Sequence, residues 1–133
     1  MNSIPSSPYA VGQVWRCKGR TADENPSLLI DRIDAHPKGL GEILHITVRD
    51  IQIKHRGLPG GIMTSLPHVP VIAQTFELSD AELIGTEQPD PTHIKGYAEW
   101  REAFDAGRAG SYGIKIASIL DIVERQLNGL PVR

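Results

Sequence analysis

A chain of 133 residues, 40% hydrophobic and 23% charged, with a formal net charge of −2, has single-domain size and the composition of a folded protein; a disordered polyelectrolyte is excluded. One cysteine, Cys17, excludes an internal disulfide and a cysteine-rich metal site. The start, Met1 to Pro8, lacks the basic end and apolar run of a secretory signal, and no stretch approaches the ~18 apolar residues of a membrane span, so a cytoplasmic protein is expected.

One domain over residues 1–133 is expected, with a flexible tail over 1–8, a sheet half over 9–56 and a mainly helical half over 57–133. In residues 11–18 the odd positions Val11, Trp15 and Cys17 suit a core face, with Arg16 and Lys18 opposite. After a polar connection over 19–26, residues 27–34 form a second strand whose continuous Leu28-Leu29-Ile30 run leaves its facing open. A turn over 35–41 leads into residues 42–54, the run densest in β-branched residues. There Leu44, Ile46 and Val48 alternate with His45, Thr47 and Arg49, then the phase slips: Ile51 and Ile53 share the parity of His45. A β-bulge near Asp50 would return them to the apolar face.

Glycines 57, 60 and 61 with Pro59, Pro67 and Pro70 predict irregular backbone up to Val71. Residues 71–84 fit either a helix with Phe76 on its buried side or a strand followed by a capping box at Ser79 and Glu82; the helix is favoured. Residues 85–92 read as a loop. Tyr97, Trp100 and Phe104 give a helix ending at Gly107. Ile116, Ile119, Leu120, Val123 and Leu127 give another that stops at Asn128-Gly129, with a short extended link over 111–115 between the two. Strands followed by helices predict an α+β fold, an antiparallel meander of at least three strands packed in two layers on two or three C-terminal helices. The sheet face left uncovered would collect Arg16, Lys18, His45, Thr47 and Arg49.

Motifs are sparse. The glycines at 107, 110 and 113 could cradle an anion, but they follow no strand and lack the P-loop lysine. Ser111 sits in a near match to a nucleophile elbow, yet a helix precedes it and the last histidine, His93, comes earlier in the chain. Among the five histidines, His36, His45, His55, His68 and His93, no pair has zinc-motif spacing, so no metal and no cofactor are expected. His45 on the polar strand face and His68 between prolines could build a general base if they converged with Asp50 or Glu42. Residues 1–66 carry 8 Lys+Arg against 6 Asp+Glu, and 67–133 carry 6 against 10; this mild basic bias lacks exposed aromatics for base stacking, so nucleic acid is disfavoured.

The first expectation for function is therefore a small interaction protein, of the kind of a bacterial immunity protein neutralising a toxin. It would bind a protein partner through Arg16, Lys18, His45, Thr47 and Arg49, as a monomer or a homo-oligomer. The alternative is a small enzyme or small-molecule binder with a pocket around His45, Arg49 and His68. Missing catalytic motifs weigh against an enzyme.

Overall fold

The computed structural model of the chain describes residues 7–36, 39 and 41–131. Its elements run β1 (Gln13–Arg16), β2 (Ser27–Ala35), β3 (Glu42–Lys54), β4 (Ile62–Val71), α1 (Ala73–Leu78), β5 (Glu82–Thr86), α2 (His93–Asp105) and α3 (Ile116–Leu127). These strands pair antiparallel in the order β4-β3-β2-β1-β5, and an isolated parallel bridge joins Val71 to Tyr112. The α+β arrangement and the meander are as the sequence predicts. The expected tail falls outside the described residues over 1–6, and the turn before β3 does so at 37, 38 and 40.

The phase slip in β3 is resolved by a bulge at Asp50. Its φ is +60°, the register with β4 breaks between Arg49 and Ile53, and Ile51 and Ile53 join Leu44, Ile46 and Val48 in one core. Aspartate tolerates left-handed backbone better than most residues. Here its carboxylate also accepts a 2.6 Å hydrogen bond from the Ser27 hydroxyl, which ties the bulge to β2.

Two segments differ from expectation. Residues 62–71 form β4, an edge strand, where prolines had predicted irregular backbone. Pro70 pairs with His45 and Pro67 lies at a register shift, the positions a sheet leaves open to proline. Over residues 71–84 the favoured helix forms only as the short α1, Asp80 then turns the chain with φ +53°, and β5 pairs with β1 where the capping box of the other alternative would have opened a helix.

The main core lies under α1 and α3, where Phe76, Ile116, Ile119 and Leu120 meet Leu28, Ile30, Leu44, Ile46 and Val48. Ser79 joins the two helices: its hydroxyl donates to the Thr75 carbonyl and accepts the Ile116 N–H at 2.9 Å, supplying the cap that Lys115 does not. The other sheet face is covered too. Leu29 and Ile43 are buried outside that core, and α2 lies against β3 and β4 on their side. The apolar run of β2 is thus buried on both faces, which a sheet with one wet face would not require.

Candidate functional site

Under α2, three ionisable side chains from successive strands form a line. His45 of β3, fully buried, places Nε2 3.0 Å from Asp34 Oδ2 of β2 and Nδ1 2.9 Å from His68 Nε2 of β4. The Tyr97 hydroxyl of α2 donates to the same Asp34 oxygen at 2.9 Å. The two imidazoles are stacked, with centroids 5.1 Å apart and planes at 13°. Trp100 closes over His45 at 4.7 Å, edge to face, and its indole N–H donates to the Gly110 carbonyl at 2.8 Å.

These contacts fix the protons. Asp34 can only accept as a carboxylate, so His45 donates from Nε2 and its Nδ1 must accept; His68 therefore donates from Nε2 and is left with a lone pair on Nδ1. Among the described residues that nitrogen has no protein partner, and none of their buried side-chain nitrogens or oxygens is left unpaired, so it faces solvent. Burial pushes the His45 pKa down to about 4 despite the pull of Asp34. His68 is pushed down to about 4 as well, by burial first and by its histidine neighbours second. Both rings are neutral near pH 7.

His68, half-buried, lines a groove of about 510 Å³ along the β4 edge, with Leu66, Pro67, Trp100, Ser111 and Tyr112 among its walls. The link over 110–113 forms one side, held to the end of β4 by hydrogen bonds from the Tyr112 N–H to Pro70 and from the Ile72 N–H to Tyr112. Among the described residues no Asp, Glu, Lys or Arg lines the groove.

A second polar cluster pins the other end of α2. Asp31, in the bulge where β2 slips against β3, accepts the Thr47 hydroxyl at 2.5 Å and the Asp90 N–H at 2.7 Å. Burial raises its pKa while both bonds oppose the rise. His93 donates from Nδ1 to the Asp90 carbonyl. Arg49, half-buried, pairs with Glu87 at 2.9 Å and Asp90 at 3.6 Å.

Of the residues singled out in the sequence, His45 and Thr47 are therefore buried beneath α2, and Arg49 is tied to the loop before it. Arg16 and Lys18 are exposed, Lys18 within 3.2 Å of Asp80. His45 and His68 do converge, with Asp34 as their carboxylate in place of Asp50 or Glu42. Asp34 is hidden in the sequence by the Asp31 bulge, which sets Arg32 opposite His45 and shifts the parity of Ile33, Asp34 and Ala35. Tyr97 and Trp100 are legible as a helical stripe, but not as the histidine face's cover. Among the described residues no three His, Cys, Asp or Glu side chains are grouped to hold a metal ion, and no helix is long and apolar enough to cross a membrane. The chain matches no family model, no curated protein and no solved structure.

Proposed function

We propose that the chain is a small-molecule-binding protein whose site is the groove at the β4 edge, with His68 as its hydrogen-bond acceptor. The observation that carries this reading is the Asp34–His45–His68 line, which ends on His68, a wall residue of the groove whose Nδ1 has no partner among the described residues. A solvated surface histidine needs no such backing. Here two part-buried hydrogen bonds select one tautomer of His68 and hold its ring in one orientation, the preorganisation a binding site requires. The groove's volume falls in the range of small-molecule sites, and its mostly apolar wall with few polar groups is their usual make-up.

Binding is favoured over catalysis. A general base works best with a pKa near the operating pH, and His68, pushed down to about 4, holds a proton poorly at neutrality. A protein partner would instead draw on Arg16 and Lys18, the two exposed members of the basic set.

The test is a ligand-observed NMR screen of a general fragment collection against the intact protein. Binders should perturb His68, Trp100 and Tyr112, and replacing His68 by Phe should weaken those that donate a hydrogen bond. Binders that map elsewhere, or that ignore the substitution, would refute the reading.

A further inference from the structure

The groove also constrains the charge of its ligand. Building on the site reading above, we infer that it selects an uncharged planar aromatic molecule carrying one hydrogen-bond donor, with the ring against Trp100 and Tyr112 and the donor on His68 Nδ1. Three observations converge on this. Among the described residues no Asp, Glu, Lys or Arg lines the groove, so a ligand charge buried there would lose its hydration without gaining a counter-ion. The backing carboxylate, Asp34, is one imidazole removed from His68 and already occupied by Tyr97 and His45. The proton arrangement leaves His68 an acceptor, which repels an anion and has no proton to offer it.

Shape points the same way. Trp100 cannot swing out freely: it is stacked on Phe104 at 4.6 Å and held through its N–H by Gly110. Pro67 and Pro70 add rigid apolar wall. A fixed indole beside prolines is suited to a flat apolar ring. A cation is the one charged rival, since aromatic faces attract it; without a carboxylate in the groove, its hydration is replaced by ring faces alone. Ser111 and the Tyr112 hydroxyl, neither with a side-chain partner among the described residues, can serve further neutral polar substituents.

The experiment uses the whole chain labelled with 5-fluorotryptophan, whose two resonances separate Trp100 from Trp15 on the other side of the sheet; Trp15→Phe assigns them. Four probes are titrated near neutral pH: 2-naphthol, its methyl ether, 2-naphthoate and 2-naphthylmethylammonium. Expected is that naphthol shifts the Trp100 signal and binds at least about tenfold tighter than either ion, with the methyl ether weaker by about the five- to tenfold of one lost hydrogen bond. In His68→Phe, naphthol and its ether should bind alike. If an ion binds as well as naphthol while still depending on His68, the neutral-ligand inference fails and the site reading stands. If naphthol binds regardless of His68 or shifts Trp15 instead, both fail. Absence of saturation by any probe below about 1 mM, the weak end of specific binding, overturns the ligand class.

Discussion

Gly96, in the first turn of α2, shows how closely the site is set. A Cβ added there would lie 2.9 Å from the Cβ of His68. Alanine in place of a helical glycine normally gains up to about 1 kcal/mol, but the obstacle here is the root of a side chain fixed to β4, and overpacking costs about 1–3 kcal/mol. The second effect wins. Gly96→Ala should lower stability to urea by roughly 1–2 kcal/mol by that balance and loosen the His45–His68 bond, visible as a changed imidazole tautomer pattern in nitrogen NMR. An alanine variant more stable than the parent would mean that α2 does not approach β4 this closely. Asp34 gives a complementary prediction. Asp34→Ala leaves the buried His45 N–H and the Tyr97 hydroxyl without their acceptor, and should cost about 1–3 kcal/mol; the variant should also allow His45 to take its other tautomer and so disorder His68.

At the scale of elements, α3 is the firmest test of the core. Leu120 is fully buried among Phe76, Ile119 and the sheet, so Leu120→Ala should destabilise the protein by about 2–5 kcal/mol in equilibrium denaturation; a loss under about 0.5 kcal/mol would place that residue at the surface. This helix was legible because its period is uninterrupted and its stop is marked: Gly129 adopts φ +66° just past Leu127. β3 was legible for the same reason, and even its bulge could be read, since the parity of Ile51 and Ile53 is only consistent with burial if the chain slips near Asp50. β4 was not. Proline argues against a strand unless the strand is known to lie at an edge, and edge position is a property of the assembled sheet, not of the local sequence. The candidate site was legible in part: His45 and His68 announced themselves by position, whereas Asp34 was brought to them by one bulge in β2. Such slips change which residues face each other without leaving a strong mark in composition.

At the scale of the whole molecule the two sheet faces are held by different physics. The α1 and α3 side is an apolar core with Arg20 paired to Asp121 and Glu124 at its rim, whereas the α2 side rests on two neutral histidines, Asp34 and Asp31, with Tyr97, Arg32, Arg101 and His93 around them. The His45 and His68 pKa values fall from the ordinary 6.5 to about 4 on folding. Above pH 6.5 neither state binds a proton at these sites; between 6.5 and 4 the unfolded chain binds protons that the native one excludes, so stability falls as pH falls through that window. His45 alone, fully buried, accounts for roughly 3 kcal/mol of loss by pH 4. Because freeing α2 is enough to hydrate both rings, the loss should appear first as local release of α2 and the 110–113 link, with β3 and α3 still folded. Hydrogen exchange followed by mass spectrometry, corrected for intrinsic rates, should show α2 losing protection between about pH 6 and pH 4.5 while α3 keeps it. Simultaneous loss in both helices would mean that the faces unfold as one unit, and unchanged protection in α2 would mean that the histidines accept protons in place.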